Sequence, residues 1–261
     1  MAKPRIKPPP ELANFLVIEN CDDFPIDRYY ATQVQRELIN SILETEKLTK
    51  EMHKMGLPYL NATLLSGPAG NGKTTFARFV AFTIGVDLVY INFATLVSGI
   101  FGSTNQHIHD IFSFLRNRRC IFLLDEIDTI GIKRGTEGGA TGGELGRITV
   151  TVMQELDYYK THDCKAIILA ATNRKDILDP ALVSRFAVAK ELPSLTNDER
   201  IAYMHMFLDD IGVPYDTENV KQYVLDNATV RQRNLEMDMI RCIAEWISGG
   251  KEGKVIINHI E

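Results

Sequence analysis

Long apolar segments are missing from this sequence. No run of apolar residues approaches the roughly 18 that a membrane-spanning helix needs. Near the N-terminus, Lys3, Arg5 and Lys7 are followed by Pro8-Pro9-Pro10 rather than by the apolar stretch of a signal peptide. We therefore expect a cytoplasmic protein that has no membrane partner.

Paired cysteines and an excess of basic charge are missing as well. The four cysteines, at positions 21, 120, 164 and 242, form no C-x-x-C pair, which favours reduced core thiols over a zinc site or a disulfide. The chain has 29 basic and 34 acidic residues and a net charge of −5. This balance argues against a general nucleic-acid binder but leaves room for a local basic patch. With 261 residues, 45% of them hydrophobic, the chain is long enough for one large domain, alone or with a small one.

What the sequence does contain is a phosphate-binding loop. Residues 67–74, GPAGNGKT, match the pattern G-x-x-x-x-G-K-[ST] without a gap. The alternative is a glycine-rich turn that matches by chance, but an apolar strand-like run precedes the loop and helical spacing follows it. Glycines let backbone N–H groups surround phosphate oxygens, while Lys73 reaches the β- and γ-phosphates and Thr74 holds Mg²⁺.

Two further strand ends carry polar side chains. Asp125 and Glu126 follow the apolar run CIFLL, and Asn173 follows the apolar run AIILAA. ATP hydrolysis needs one acid near the Mg²⁺ and one that polarises the attacking water, which suits Asp125 and Glu126 in that order. An amide at position 173 suits a role in orienting the water or contacting the γ-phosphate. The alternatives are acids that cap a strand and an asparagine at an ordinary strand-to-turn junction. The residues expected to bind the nucleotide are Pro68, Ala69, Gly70, Asn71, Gly72, Lys73, Thr74, Thr75 and Asp125.

Strands alternate with helices until about residue 193, and only helices follow. This pattern predicts a parallel sheet domain that carries a small helical domain. Six glycines between residues 135 and 146 predict a mobile loop. We divide the chain into a proline-rich, irregular arm (1–25), an α/β domain (26–193) and a helical domain (194–261). Strands are predicted over residues 62–66, 87–92, 120–124, 166–171 and 187–192, and helices over 31–55, 107–115 and 147–156.

In combination, these motifs resemble those of the AAA+ ATPases, and specifically the AAA proper group, over residues 22–247. Residues 178–182 (LDPAL) and 184–186 (SRF) resemble the second region of homology of that group. Arg147 and, ten positions later, Asp157 match the pattern of another helix of that group. This helix lies between the Walker B strand, here the run before Asp125, and the sensor strand, here the run before Asn173. The resemblance is to a single ATPase module of the bacterial, stand-alone type.

The resemblance implies a fold, an assembly and two residue roles. It implies a P-loop NTPase sheet of order 5-1-4-3-2, sandwiched by helices and followed by a helical lid. It also implies that Asn173 is sensor 1 and that Arg185 is an arginine finger, for which the alternative is a surface salt bridge. Such a finger reaches the nucleotide of the neighbouring subunit, so we expect a ring or helical homo-oligomer, typically a hexamer.

The sequence departs from the family pattern at three functional positions. Arg185 stands alone where the group usually has two arginines. Ile100 occupies the position of the aromatic residue of the pore loop, and Phe101 follows it, so either residue is a candidate for gripping a polypeptide. The alternative is that Phe101 packs within its own domain. Arg231 and Arg233 replace the usual small residues of the lid, and either is a candidate sensor 2 contact to the γ-phosphate or part of a solvated helix start.

The sequence therefore predicts an ATPase that uses ATP and Mg²⁺ and converts ATP and water to ADP and phosphate. We expect an oligomeric motor that remodels or unfolds an unidentified protein partner. One alternative is a loader or transposition helper that acts on nucleic acid, which the acidic charge balance makes the weaker choice. The other is an ATP-dependent assembly switch that scaffolds a partner.

Overall fold

The computed structural model describes residues 4–91, 96, 104–131 and 140–259, and only the backbone of residues 140–144. Contacts divide the chain into two units. The first comprises Met1–Phe24, Glu37–Gly67 and Lys73–Leu192, and the second comprises Pro25–Arg36, Pro68–Gly72 and Pro193–Glu261.

The first unit is built on a six-stranded sheet of order β1-β3-β4-β5-β2-β6. Neighbouring strands are parallel except that β1 runs antiparallel to β3. When β1 is left aside, the order is β6-β2-β5-β4-β3, which confirms the expected order 5-1-4-3-2. The strands are β1 (Leu16–Glu19), β2 (Ala62–Ser66), β3 (Leu88–Ile91), β4 (Ile121–Leu124), β5 (Ile167–Thr172) and β6 (Val188–Glu191).

The three central strands are buried along their whole length, as strands covered on both faces must be. This explains why they read as continuous apolar runs rather than as alternating patterns. Leu64 of β2 and Leu124 of β4 both pair with Ala170 of β5. Because the strands are parallel, the residues that follow Ser66, Leu124 and Thr172 emerge at one edge of the sheet.

Helices cover the sheet and bury aromatic side chains against it. The ring of Phe112 lies edge-on to Phe122 of β4, with centroids 4.9 Å apart, and edge-on to Tyr159 at 5.7 Å. The Tyr159 hydroxyl donates to the carbonyl of Phe112 at 2.7 Å, which satisfies a polar group in the core. The helices are α1 (Gln33–Lys54), α2 (Lys73–Ile84), α3 (Thr104–Leu115), α4 (Ala140–Thr161) and α5 (Pro180–Val183).

Two predicted irregular segments contain regular structure. The segment 1–25 was predicted as an irregular arm, but its residues 16–19 form β1, and Leu12, Leu16 and Cys21 are buried. The segment 135–146 was predicted as a loop, but α4 begins at Ala140. The remainder of the predicted loop, residues 135–139, lies outside the described residues.

From Pro193 onward, the described residues of the second unit form the α-helices α6 (Asn197–Ile211), α7 (Thr217–Asp226) and α8 (Gln232–Ser248). Apolar faces of all three helices meet in one cluster that includes Met204, Leu208, Val224, Leu235 and Met239. Asp238, which is buried beside this cluster, accepts hydrogen bonds from the Tyr223 hydroxyl at 2.5 Å and from His259 Nδ1 at 2.8 Å.

All four cysteines are free thiols. Over residues 4–91, 96, 104–131 and 140–259, no group of three or more His, Cys, Asp or Glu side chains is arranged to hold a metal ion. Among the helices whose residues are described, none is both long enough and apolar enough to cross a bilayer.

Candidate nucleotide site

Glycines shape the loop that joins β2 to α2. Gly67 has φ of +146°, and a Cβ placed there would lie 2.4 Å from the carbonyl oxygen of Leu192, so a side chain cannot be accommodated. Gly72, directly before the first residue of α2, has φ of +73°, in the left-handed region. The loop therefore delivers the chain from the end of a buried strand to a helix N-terminus, where free N–H groups favour anions.

Lys73, the first residue of α2, is 93% buried, with 7% of its surface exposed. Its ammonium donates to the carbonyl oxygen of Gly67 at 2.8 Å and to Oδ1 of Asn173 at 2.6 Å. Burial lowers the pKa of Lys73, while the negative charges of Asp125 and Asp128 act in the opposite direction. The structure thus joins the phosphate-binding loop to the predicted sensor residue through one buried cation.

The hydroxyl of Thr74 donates to Oδ2 of Asp125 at 2.8 Å. Asp125 directly follows β4, and its other oxygen, Oδ1, accepts the backbone N–H of Glu126 at 3.0 Å. Mg²⁺ prefers hard oxygen ligands. The hydroxyl of Thr74 and the carboxylate of Asp125 provide two such oxygens close together. The donor set of the predicted metal pair, Thr74 and Asp125, therefore fits a magnesium ion.

The distinctive feature of Glu126 is its backbone conformation. It has φ of +51° and ψ of +43°, which is a left-handed conformation uncommon outside glycine. Its side chain is exposed, and a 3-10 helix, Ile127–Thr129, begins directly after it. Strained backbone conformations of this kind cluster at functional sites because surrounding structure must enforce them.

Asp128 is a charged residue near this cluster that the sequence analysis missed. Its Oδ1 accepts a hydrogen bond at 2.7 Å from the hydroxyl of Thr172, the last residue of β5. The same hydroxyl accepts the backbone N–H of Arg174 at 2.9 Å, so the turn that contains Asn173 is tied to the turn after β4. The sequence could have pointed to Asp128 through its spacing, because it follows Asp125 by three residues, or about one turn.

Arg185 lies just after α5, and its guanidinium is bound within its own chain. Nη2 and Nε donate to Oδ2 of Asp157 on α4 at 3.0 and 3.2 Å, and Nη1 donates to the carbonyl oxygen of Ala181 at 2.6 Å. These hydrogen bonds do not include any residue of the Lys73 cluster. The structure therefore pairs the two residues, Asp157 and Arg185, that the sequence analysis had singled out for separate reasons.

The second unit contains the remainder of the loop and the two lid arginines. A Cβ placed at Gly70 would lie 3.7 Å from Cβ and Cδ of Arg231 and 3.8 Å from Cβ of Arg233. Asn71 donates through Nδ2 to the hydroxyl of Ser194 at 3.2 Å. Both candidate sensor 2 residues therefore lie against the loop, and their role at a γ-phosphate stays a prediction.

The other predicted residues divide into two groups. Pro68 and Ala69 lie in the loop, and Thr75 lies in the first turn of α2. The candidate pore residues Ile100 and Phe101 lie outside the described residues.

The sequence model of the ATPase family associated with various cellular activities (AAA) matches residues 63–194. Among curated relatives, the ATP-dependent zinc metalloprotease FtsH of Thermus thermophilus is 34% identical over 175 residues, which are 65% of this chain and 28% of the relative. The FtsH of Syntrophotalea carbinolica is 29% identical over 235 residues, or 88% of this chain and 35% of the relative. The peroxisomal ATPase PEX6 of Arabidopsis thaliana is 32% identical over 147 residues, or 55% of this chain and 16% of the relative. The chain thus spans about a third or less of the length of these relatives.

Proposed function

The chain belongs to the AAA family of ATPases, and we propose that it is an oligomeric motor that remodels a protein partner. As an AAA ATPase it uses ATP with Mg²⁺ and hydrolyses it to ADP and phosphate. The observation that carries the proposal is the cluster of Lys73, Asn173, Thr74 and Asp125 at one edge of the sheet.

The binding half of the proposal rests on a buried cation and an oxygen pair. Lys73 offers its ammonium to phosphate oxygens, for which Gly67 O and Asn173 Oδ1 stand in as acceptors in this structure. Thr74 and Asp125 offer oxygen atoms to Mg²⁺. The bound metal supplies charge that neutralises the phosphates and the leaving group.

The catalytic half assigns roles to three side chains. Glu126 accepts a proton from the attacking water. Its carboxylate is exposed, whereas the neighbouring carboxylate of Asp125 is engaged by the hydroxyl of Thr74. Asn173, held at 2.6 Å from Lys73, orients that water or contacts the γ-phosphate. Arg185 acts in trans, on the nucleotide of a neighbouring copy, where its planar guanidinium stabilises the developing charge.

The trans role requires a homo-oligomer, which we propose to be a hexamer. In the single chain, Arg185 is bound to Asp157, so Asp157 holds the guanidinium at a defined place on the surface. The side chain of Arg185 is 28% exposed, which leaves it within reach of a partner surface. We propose that this pair presents the arginine to the neighbouring site.

A protein partner fits the charge of the chain and the names of its relatives. The net charge of −5 does not favour nucleic acid. One relative is described as a metalloprotease and another as a peroxisomal ATPase. The sequence contains no H-E-x-x-H zinc motif, so the proposal concerns the ATPase alone.

The test is ATP turnover measured alone, with an unfolded protein and with DNA. We expect turnover without any addition and faster turnover with the unfolded protein. Faster turnover with DNA alone would replace the motor by the nucleic-acid loader. If neither addition changes turnover and assembly depends on ATP, the assembly switch replaces the motor as the proposed function.

The candidate pore residues provide a second test. In Ile100→Ala and Phe101→Ala, we expect the ratio of stimulated to unstimulated turnover to fall to about one. If both variants keep full stimulation by the unfolded protein, these two residues do not grip the substrate.

A further inference from the structure

A cavity of about 550 Å³ lies in the first unit, between the last turns of α1 and the segments that precede β2, β4 and β5. The face of α1 that lines it runs from Glu46 to Lys54, and the opposite wall includes Asn61, Arg119 and residues 163–167. Because these segments precede parallel strands, the cavity lies at the edge of the sheet opposite the nucleotide-binding cluster. Its volume is that of a pocket for a small organic molecule.

Two of the residues that line this cavity have buried polar atoms without a hydrogen-bond partner. These atoms are Oδ1 of Asn61, whose residue is 94% buried, and Nδ1 of His53. Asn61 is fixed in place because its Nδ2 donates to the carbonyl of Ile42 at 3.3 Å and its backbone carbonyl accepts from Ile168 at 3.0 Å. Buried polar groups are nearly always paired, so two unmet atoms on residues that line one cavity favour a partner that enters beside them.

Both unmet atoms are acceptors. An amide oxygen only accepts. Nε2 of His53 lies 3.1 Å from the carbonyl oxygen of Lys160, which only accepts, so Nε2 carries a hydrogen, and we assign the tautomer that has this hydrogen alone. Nδ1 is then the acceptor of that ring. The partner that both atoms lack is therefore an N–H or O–H donor.

The charges of the wall largely neutralise one another. Glu46 lies 3.1 Å from Lys50 and 3.2 Å from Arg119, and Glu51 lies 2.7 Å from Lys54. The inner wall is apolar at Ala166 and Ile167, which are buried, and at the half-buried Cys164. This combination suits a neutral ligand with an apolar body better than an ion.

We propose that this cavity binds a small neutral molecule that has an apolar body and an N–H donor, such as a carboxamide. The donor pairs with Asn61 Oδ1 or His53 Nδ1, and the body packs against Ala166, Ile167 and Cys164. Both acceptors are shielded from water in this structure, so binding requires a small movement of the side chains around them.

Cys164 gives a direct readout of occupancy. It is half-buried in the cavity wall, whereas Cys21, Cys120 and Cys242 are at most 5% exposed. Burial raises the pKa of the Cys164 thiol to about 11, so its reaction with N-ethylmaleimide is slow and easily timed. Mass spectrometry of the full chain, followed by peptide mapping, gives the rate of alkylation at position 164.

The probes are benzamide and acetophenone, which have the same shape. Benzamide has an NH₂ donor where acetophenone has a methyl group. We expect benzamide to slow the alkylation of Cys164 at concentrations about fivefold lower than acetophenone, which is the effect of about one net hydrogen bond. Equal protection by the two probes, or protection by neither, would overturn the proposal.

Two variants locate the donor contact. His53→Phe and Asn61→Leu each remove one acceptor and keep a similar shape, so the advantage of benzamide over acetophenone should shrink in at least one of them. Circular dichroism confirms that each variant is folded. His53 is half-buried near the end of α1, so His53→Phe provides the test even if Asn61→Leu does not fold. An unchanged advantage in every folded variant would also overturn the proposal.

Discussion

Glu126 holds a left-handed backbone conformation two residues after the end of the buried strand β4, and its side chain is exposed rather than packed in the core. The conformation is enforced by the neighbours on both sides. The buried strand β4 precedes it, and the 3-10 helix Ile127–Thr129 follows, with the N–H of Thr129 donating to the carbonyl of Glu126 at 2.8 Å. A left-handed glutamate is costly, so its presence beside Asp125 supports a role in the chemistry.

Glu126→Gln tests that role. The amide has the same shape but does not take a proton from water, so ATP binding should persist while turnover falls by about 10²–10⁴-fold. Binding is measured with a fluorescent ATP analogue and turnover by phosphate release. Glu11→Gln, at an exposed position, is the control and should match the wild type. Wild-type turnover in Glu126→Gln would remove this residue from the mechanism.

The sequence could predict single residues of the candidate site but not the hydrogen-bonded pairs that these and nearby residues form. Lys73, Thr74 and Asp125 were recognisable because local patterns fix their positions at the end of a strand or the start of a helix. The bond from Thr172 to Asp128 and the bond from Arg185 to Asp157 join residues 44 and 28 positions apart. Such pairings depend on how the strands and helices pack, which no local pattern encodes.

Among the elements, α4 shows how packing overrides local preference. Glycines at positions 142, 143 and 146 weaken a helix by about 1 kcal/mol each, and for this reason the segment was predicted as a loop. The helix nevertheless includes these positions, and beyond them it buries Ile148 and Val152 against the sheet. The hydroxyl of Thr149 adds a hydrogen bond to the carbonyl of Ile130. Long-range contacts of this kind are invisible in a local reading.

The element β1 is tied to α2 by an ion pair whose strength depends on pH. Glu19 accepts from Arg78 Nε at 2.7 Å and from Nη2 at 3.1 Å. The hydrogen bond from Arg78 lowers the pKa of Glu19 below its ordinary value of 4.5, although burial acts in the opposite direction. A lowered folded-state pKa adds stability above the unfolded pKa, and that stability is lost as the pH falls through the folded pKa.

Glu19→Gln should therefore lower the free energy of unfolding at neutral pH. The difference from wild type should disappear in acid, where Glu19 is protonated. Urea unfolding at several pH values measures both effects. A Glu19→Gln difference that stays constant with pH would contradict the assignment.

The helix α6 begins with a capping box. The Thr196 hydroxyl accepts the N–H of Glu199 at 3.3 Å, and the Glu199 carboxylate accepts the N–H of Thr196 at 2.9 Å. Thr196→Ala should lower the free energy of unfolding of the helical unit by about 1 kcal/mol, whereas Thr196→Ser should nearly preserve it. Urea unfolding followed by helical circular dichroism makes the comparison. Equal losses in the two variants would show that the hydroxyl is not the cause.

For the whole molecule, the arrangement of Arg185 raises the question of whether one chain holds a complete catalytic site. If Arg185 acts in trans, Arg185→Ala should bind ATP but lose about 10³-fold or more in turnover. Mixed with Glu126→Gln before nucleotide is added, it should regain turnover at interfaces that join an intact Glu126 to an intact Arg185. Phosphate release at several mixing ratios measures the recovery.

The recovery distinguishes assembly from folding. An arginine that acts within its own chain, or that only anchors α4 through Asp157, predicts no recovery at any ratio. A pull-down through an affinity tag on one variant, which recovers the untagged other variant, shows that the two exchange subunits. Exchange without recovery would assign Arg185 a structural role.

The antiparallel strand β1 also decides how this molecule behaves toward copies of itself. It covers the free backbone N–H and C=O groups of β3, whose four residues would otherwise form an open, apolar edge. The opposite edge, β6, ends in the exposed charges Lys190 and Glu191, which discourage pairing with another strand. Deleting residues 1–19 should therefore expose the edge of β3, which can then pair with strands of other copies. Light scattering should rise as the protein aggregates. We therefore expect the segment predicted as an irregular arm to keep β3 from pairing with other copies of the chain.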